Sequence, residues 1–233
     1  MRNRSATDIS MVKKNKRFVI AIDGPAGSGK STVSKRIARK LDLLYIDTGA
    51  MYRALTLKAM RQGLDLEDSS ALVKLVRSAR IDLKEDGGRL GVFLDGEDVS
   101  ELIRTPELTK NVKYIARVPE VRGEMVRLQR AIGERAGAVL EGRDIGTVVF
   151  PDADYKFYLD ADVEERARRR HKELVDSNQK VDLEEIKKDV VARDESDMKR
   201  EVGALKKAED AILIDTTNLS IDEVVEKLLS HIS

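Results

Sequence analysis

The chain has 233 residues and 36% of them are charged, but its 43 basic and 42 acidic side chains leave a net charge of only +1. Proteins that bind duplex nucleic acid are usually far more basic, no apolar run approaches the ~18 residues of a membrane span, and without cysteine there is neither a disulfide framework nor a thiolate zinc site. The length suffices for one large α/β domain or a domain with an inserted lobe, and we expect no nucleic acid or membrane partner.

The first 17 residues are polar and basic, and they lack the apolar segment of a secretory signal. We therefore predict a disordered basic arm over 1–17, a folded domain over 18–233 and a location in the cytoplasm.

The first apolar run, at 18–22, is rich in β-branched residues and predicts a buried strand. A G-x-x-x-x-G-K-S sequence follows, and apolar residues then recur at helical spacing. This order is typical of a P-loop, in which backbone N–H groups and a helix dipole surround phosphate groups. We predict that Lys30 reaches the outer phosphates of a nucleoside triphosphate and that Ser31 is a Mg²⁺ ligand. The predicted phosphate-binding residues are Gly24, Pro25, Ala26, Gly27, Ser28, Gly29, Lys30, Ser31 and Thr32.

The pattern of elements changes in the next part of the chain. Residues 43–47 predict a second strand, and Thr48 is predicted to be the N-cap of the helix that follows. Two alternating apolar runs then flank the glycines at 87 and 88 and predict an antiparallel hairpin. A hairpin interrupts the parallel α/β rhythm, so we predict an inserted lobe over about 69–116. Pro106 and Pro119 each mark the start of a helix.

Apolar runs at 138–140, 155–159 and 211–215 predict three more strands. Because strands and helices alternate, we predict that these strands are parallel, with right-handed crossovers.

Polar side chains follow several of the predicted strands, and ligands collect at the carboxyl ends of parallel strands. Glu141 is placed to hold Mg²⁺ through water, and Arg143 offers phosphate oxygens a planar, permanently charged group. Asp47, Asp160 and Asp215 also lie at strand ends, but such residues more often cap helices and close turns.

The stretch at about 163–200 is charge-rich and predicts two helices that form a mobile lid. The first helix carries three arginines on one face: Arg166, Arg169 and Arg170. The second carries a stripe at i, i+4 and i+7: Arg193, Asp197 and Arg200. This pattern is compatible with two interpretations. In one, the side chains close over a triphosphate; in the other, they form a solvated surface with a purely structural role.

One P-loop class is excluded by missing motifs. The chain has no N-K-x-D, and no aspartate is followed by glycine at the third position, so a switch GTPase is excluded. A short P-loop domain with an inserted lobe and an arginine-rich lid favours a small-molecule phosphotransferase. Another P-loop kinase, of the UMP or shikimate type, and a nucleotide-switched interaction protein remain as alternatives.

Four blocks of sequence, at 22–32, 47–53, 142–153 and 215–220, closely resemble the bacterial cytidylate kinase family, and the resemblance extends over essentially all the chain after residue 17. It implies a P-loop NTPase fold in the α/β class, with a five-stranded parallel sheet, helices on both faces, a lid and an enlarged nucleoside-monophosphate lobe that contains a small antiparallel sheet. It also implies a kinase that uses ATP and Mg²⁺ to phosphorylate CMP or dCMP, and we expect a monomer.

The resemblance also implies roles for individual residues. Arg166 and Arg170 would assist the P-loop in binding ATP, and Arg122 and Asp144 would recognise cytosine. The remaining residues implied to bind the substrate are Thr48, Tyr52, Arg53, Arg143, Arg193, Asp197 and Arg200. Those implied to act in catalysis are Lys30, Arg143, Arg193 and Arg200. The chain departs from the family's usual residues at three positions: Thr48 replaces serine, Glu141 replaces aspartate, and Lys113 replaces a serine near the base.

Overall fold

The computed structural model describes residues 18–86, 89–176 and 179–232, so the predicted arm over 1–17 lies outside it. Five parallel strands form the main sheet, in the order β2-β6-β1-β7-β8, and three antiparallel strands form a second sheet. The strands are β1 (Val19–Asp23), β2 (Leu44–Asp47), β3 (Ile81–Asp86), β4 (Arg89–Leu94), β5 (Glu97–Asp98), β6 (Ala138–Gly142), β7 (Tyr155–Asp160) and β8 (Ile212–Asp215).

Helices cover both faces of the main sheet. They are α1 (Lys30–Leu41), α2 (Thr48–Arg61), α3 (Ser69–Ser78), α4 (Pro106–Ala116), α5 (Pro119–Ala136), α6 (Val163–Asp176), α7 (Leu183–Met198) and α8 (Ile221–Leu229), with a 3₁₀ turn at Leu102–Arg104 and a π-helical turn at Ile145–Val149. None of the helices in the described ranges is both long and apolar enough to cross a membrane. The α/β architecture predicted from the sequence is thus confirmed.

The central position of β1 follows from its side chains. Ile20 and Ile22 are fully buried against the core formed with α1 and α8, whereas Ala21 belongs to the larger core on the opposite face. Because both faces are apolar, the strand fits the middle of a parallel sheet covered on both sides. Its carboxyl end, where the P-loop begins, therefore lies between the ends of β6 and β7.

The predicted hairpin is confirmed as the β3–β4 pair. A third strand, β5, was not predicted, because two charged residues at Glu97–Asp98 carry no alternating apolar pattern. Both prolines occupy the first turn of a helix as expected, Pro106 in α4 and Pro119 in α5. The boundaries of the inserted lobe at about 69–116 and of the lid at about 163–200 stay predictions.

Two local predictions were wrong. Thr48 is not an N-cap: Asp47 caps α2 by accepting a 2.8 Å hydrogen bond from the backbone N–H of Ala50, because the carboxylate precedes the first helical residue. Arg200 does not lie on a helical stripe with Arg193 and Asp197, since α7 ends at Met198. The chain turns there, and Arg200 approaches Asp197 from beyond the helix end.

Candidate active site

The glycine-rich loop connects β1 to α1. Gly27 has a φ of +79°, and a Cβ at this position would lie 2.9 Å from the carbonyl oxygen of Arg166 in α6. Only glycine lets the loop and α6 approach so closely. Gly29 provides no side-chain cap for α1, so the first N–H groups of the helix are available to an anion.

Lys30 is the first residue of α1, and its side chain is buried. Its Nζ donates hydrogen bonds to the carbonyl oxygen of Pro25, at 2.5 Å, and to Oγ of Ser28, at 3.2 Å. Burial and the neighbouring guanidinium of Arg143 lower the pKa of Lys30 to about 7. Asp23 and Glu141 attract the ammonium group, but neither forms an ion pair with it in the described ranges, and a bound phosphate would supply a direct anionic partner.

Ser31 and Glu141 meet between α1 and β6. Ser31 Oγ donates a 2.9 Å hydrogen bond to Oε2 of Glu141, and the hydroxyl of Tyr45 donates to Oε1 of the same carboxylate. Burial raises the pKa of Glu141. Within the described ranges there is no group of three or more histidine, cysteine or acidic side chains that could hold a metal ion. One hydroxyl and one carboxylate nevertheless fit Mg²⁺, which keeps several waters and takes further oxygens from phosphate.

Five cationic side chains lie together near the loop, and we call them the cationic cluster: Lys30, Arg53, Arg143, Arg193 and Arg200. Two carboxylates compensate part of the charge. Asp47 pairs with Arg53 at 3.0 Å, and Asp197 accepts hydrogen bonds from Arg143 Nε, at 2.7 Å, and from Arg200. Burial alone would raise the pKa of Asp197, but its arginine partners hold this pKa below the ordinary value.

Arg193 differs from the other members of the cationic cluster. No hydrogen bond or ion pair joins its guanidinium to any residue in the part of the chain that the structure describes. Burial and the positive charge of Arg143 lower the pKa of Arg193 to about 10. A buried guanidinium without a hydrogen-bonded anion is chemically suited to an anionic ligand.

The predicted cytosine-binding residues lie beside the cationic cluster. Arg122 and Asp144 form a buried ion pair, and the guanidinium of Arg122 lies over the ring of Tyr52 at 5.6 Å. The hydroxyl of Tyr52 is buried without a hydrogen-bond partner among the described residues. Gly203, with a φ of +66°, packs so tightly on this pair that a Cβ would overlap both charged groups.

The arginines of α6 have different environments. Arg166 is buried, forms an ion pair with Asp194 of α7 and donates a 3.2 Å hydrogen bond to the carbonyl oxygen of Ala26 in the loop. Arg169 donates to the side chain and backbone of Thr216, while Arg170 lies nearer the surface and pairs with an adjacent glutamate. Arg166 therefore connects α6 to the glycine-rich loop and to α7, and Arg169 connects α6 to the chain after β8. Of the three arginines, only Arg170 pairs solely with an exposed side chain in the described ranges.

Several residues around the site were not predicted from the sequence: Asp23, Tyr45, Gly203 and Thr216. Thr216 Oγ1 donates to the carbonyl oxygen of Ser28 at 3.2 Å and so connects the chain after β8 to the loop. Of these, only Asp23 left a signal in the sequence, as an acidic residue at the carboxyl end of the first strand. The hydroxyl of Thr48, one of the residues predicted to bind substrate, donates to the carbonyl oxygen of Glu141 at 2.7 Å.

Lys113 lies farther from the loop, over the ring of Tyr114 at 5.0 Å. It lines a cleft of about 630 Å³ between the start of α5 and the end of α7, together with Arg117 and Arg200. Arg200 therefore belongs both to the cationic cluster and to the wall of this cleft.

Comparison with known proteins identifies the family of this chain. The cytidylate kinase family model matches residues 20–233. A cytidylate kinase from Bacillus cereus is 50% identical over 219 residues, which cover 94% of this chain and 97% of that protein. A cytidylate kinase from a Geobacillus species is 52% identical over 214 residues, which cover 92% of this chain and 96% of that protein. Among solved structures, an uncharacterized protein from Eubacterium ventriosum has a TM-score of 0.51 at 13% identity, over 93% of this chain and 98% of that one, which is a likeness of fold alone.

Proposed function

The chain belongs to the cytidylate kinase family, and we propose that its cationic cluster serves the ATP-dependent phosphorylation of CMP or dCMP. An oxygen of the CMP phosphate attacks the γ-phosphorus of ATP, the bond from that phosphorus to the β-phosphate oxygen breaks, and ADP leaves with the electron pair. The acceptor oxygen already carries a negative charge, so the reaction needs no nucleophilic side chain. Positioning, charge neutralisation and exclusion of water supply the catalysis.

The observation that carries this proposal is the position of the cationic cluster. It extends from the phosphate loop, which includes Lys30, to the Arg122–Asp144 pair, whose charges act on Arg200. Two substrates whose phosphate groups must meet need the triphosphate site at one end, the base site at the other end and the shared cations between them. Lys30, Arg143, Arg193 and Arg200 would stabilise the charge on the transferred phosphoryl group.

The substrate would occupy the base end of this arrangement. Arg53, Arg143 and Arg200 would bind the CMP phosphate, while Arg193 and Asp197 would also reach the ribose. Asp144, when ionised, would accept a hydrogen bond from the exocyclic amine of cytosine, and Arg122 would donate hydrogen bonds to the ring N3 and to O2. Tyr52 lies against Arg122 and Thr48 fixes the backbone of Glu141, so both would shape this end of the site.

The phosphate loop, Gly24 to Thr32, would bind the ATP phosphates, and Ser31 and Glu141 would hold Mg²⁺. When bound, Mg²⁺ neutralises charge on the β- and γ-phosphate oxygens. Arg170 is the α6 arginine best placed to turn towards the triphosphate, and Arg166 would act by fixing the loop carbonyl that it already contacts. Because every residue named comes from one chain, a monomer suffices, and sedimentation velocity tests this.

A coupled assay for ADP release with CMP, dCMP, UMP, AMP and shikimate as acceptors tests the function. We expect turnover with CMP and dCMP. Faster turnover with UMP or shikimate would favour another P-loop kinase, and slow hydrolysis of ATP without any acceptor preference would favour a nucleotide-switched interaction protein. Thermal shifts on the same panel give a second readout, because a ligand at 100 times its Kd adds about 2.7 kcal/mol to the stability.

A further inference from the structure

Asp23 is the last residue of β1 and is almost completely buried, yet it takes no part in the reaction outlined above. Its Oδ1 accepts a 2.8 Å hydrogen bond from the backbone N–H of Ile145, and its Oδ2 accepts one of 2.7 Å from the N–H of Gly146. These are the first two N–H groups of the π-helical turn, which lack partners within the turn itself. Asp23 therefore caps a turn that begins on the neighbouring strand connection.

The residue in the N-cap position of that turn is Asp144. Aspartate in this position ordinarily bends its own carboxylate back onto the N–H groups of the first turn. Asp144 does not do so: its side chain makes no capping hydrogen bond and pairs with Arg122 instead. Asp23 accepts the hydrogen bonds of the turn in its place, which leaves the carboxylate of Asp144 free to face the base site.

We propose that Asp23 is a positioning residue for base recognition, which keeps Asp144 on Arg122 and cytosine by occupying the N–H groups that Asp144 would otherwise cap. Without Asp23, the N–H groups of Ile145 and Gly146 lose their acceptor, and that of Gly146 lies in the N2 position from which an N-cap side chain ordinarily accepts. The carboxylate of Asp144 then divides its time between this donor and the base. The proposal rests on the assignment of Asp144 to the base in the proposed function. It extends that assignment to a residue on another strand.

The test is a double-mutant cycle on the ratio of kcat/KM for CMP to kcat/KM for UMP. Asp23→Asn keeps the side-chain shape, but an amide oxygen accepts only one of the two N–H groups and its NH₂ opposes the other. We expect the ratio to fall by at least about fivefold, through CMP, and we expect Asp23→Asn to leave the ratio unchanged when Asp144 is already replaced by alanine. A role in stability alone would lower the rates with both nucleotides and leave the ratio as it is.

Two controls isolate the effect. Asp154→Asn alters a carboxylate that caps the opposite end of β1, where Oδ2 accepts the N–H of Val19 at 2.8 Å. Arg130→Gln removes the hydrogen bonds, of 2.6 and 2.7 Å, that hold the far end of the π-helical turn. Both are expected to lower the melting temperature slightly and to keep the ratio.

The outcomes separate this inference from the function on which it rests. If Asp144→Ala itself leaves the ratio unchanged, the assignment of Asp144 to the base is wrong. If Asp144→Ala lowers the ratio and folded Asp23→Asn does not, only the role given to Asp23 is wrong. Should Asp23→Asn fail to fold, Asp23→Ser, which retains one acceptor in a smaller side chain, replaces it in the same cycle, and an unchanged ratio there overturns the proposal.

Discussion

Arg143 at the end of β6 donates a 2.7 Å hydrogen bond from Nε to Oδ2 of Asp197 in the last turn of α7. The other oxygen of the same carboxylate binds Arg200. A single buried acid thus holds two members of the cationic cluster and joins α7 to the end of β6. The orientation of both guanidinium groups depends on it.

Replacing Asp197 by alanine should therefore affect both stability and substrate binding. Two largely buried arginines lose their counter-charge, which costs about 3 kcal/mol when one partner of a buried pair is removed. We expect the KM for CMP to rise at least about tenfold, because the phosphate meets misoriented cations. Chemical denaturation and steady-state kinetics measure the two effects.

The matched control for Asp197 is Glu195→Ala. Glu195 lies on the same helix, but it pairs with Lys199 where both side chains are more than half exposed. Exposed pairs contribute at most about 1 kcal/mol. Equal effects of the two substitutions would contradict the special position given to Asp197.

Lys30→Met should lower kcat by about a hundredfold or more, because the developing charge on the phosphoryl group loses its nearest ammonium. The fold should survive, since methionine fills a similar volume, although the buried carboxylates of Asp23 and Glu141 lose an attractive charge. Circular dichroism and initial rates check both points. Lys40→Met, at the far end of the same helix, serves as the control and should keep its activity. Near-normal turnover in folded Lys30→Met would remove Lys30 from the mechanism.

The low pKa of Lys30 makes ATP binding depend on protons. At pH 8.5 the side chain is mostly neutral in the free protein, whose Lys30 pKa is about 7, whereas a bound triphosphate restores the charged form. Binding should therefore take up close to one proton at pH 8.5 and much less at pH 6, where Lys30 is already charged. Calorimetric titrations in buffers of different ionisation enthalpy measure this uptake, and in Lys30→Met it should disappear.

The same shift has a consequence for stability without ligand. The unfolded chain keeps the ordinary lysine pKa, so between about pH 7 and pH 10 the unfolded state binds more protons than the folded one at this residue. The contribution of Lys30 to the free energy of unfolding should therefore rise with pH across that window. Lys30→Met removes this slope and leaves that of the other groups.

The base site should discriminate strongly against uracil. Uracil places a carbonyl oxygen towards Asp144 and an N3–H towards Arg122, and each mismatch leaves a poorly solvated group unpaired, at about 1–3 kcal/mol. We expect kcat/KM for CMP to exceed that for UMP by at least about a hundredfold. Asp144→Ala should lose most of this ratio by harming CMP, whereas Asp152→Ala, at an exposed position after the π-helical turn, should retain it.

The environment of Arg193 predicts that its replacement has opposite effects on stability and on activity. Its guanidinium makes no hydrogen bond or ion pair among the described residues, and the repulsion by Arg143 outweighs the attraction by Asp197. Arg193→Met should therefore raise the melting temperature of the protein without ligand and lower kcat. Inorganic phosphate should stabilise the wild-type protein more than the variant. A lower melting temperature in the variant would indicate that Arg193 is already neutralised in the free protein.

The parts of the site that sequence could predict are those set by local spacing. The loop from Gly24 to Ser31 is contiguous, so its strand, turn and helix are all visible in the sequence. Glu141 and Ser31 were each assigned to Mg²⁺ on their own positions, and their direct hydrogen bond follows from the pairing of β1 with β6. Tyr45 was not predicted to be a site residue, because the sequence of a buried strand does not distinguish such an aromatic residue from an ordinary core residue.

Other features depend on which strands become neighbours. The capping of one turn by Asp23 requires that β1 lie beside β6, and nothing in the spacing of residues 23 and 144–146 indicates it. The same holds for Gly203, whose close approach to Arg122 and Asp144 arises only after the chain has turned back from α7. Local periodicity predicts elements, whereas the order of strands decides which polar groups meet.

The order of the main sheet also bears on how the protein is made. Strand β1 leaves the ribosome well before the strands that it pairs with, since Val19 pairs with Ala138 and Ile20 with Tyr155. Contacts between such distant segments form slowly, because a long loop must close before they contribute. During synthesis the first strand therefore stays unpaired, with its apolar side chains open to chaperones or to aggregation. Nucleotides can assist folding only once nearly the whole chain has emerged, and shortened chains that end before β7 should gain nothing from them.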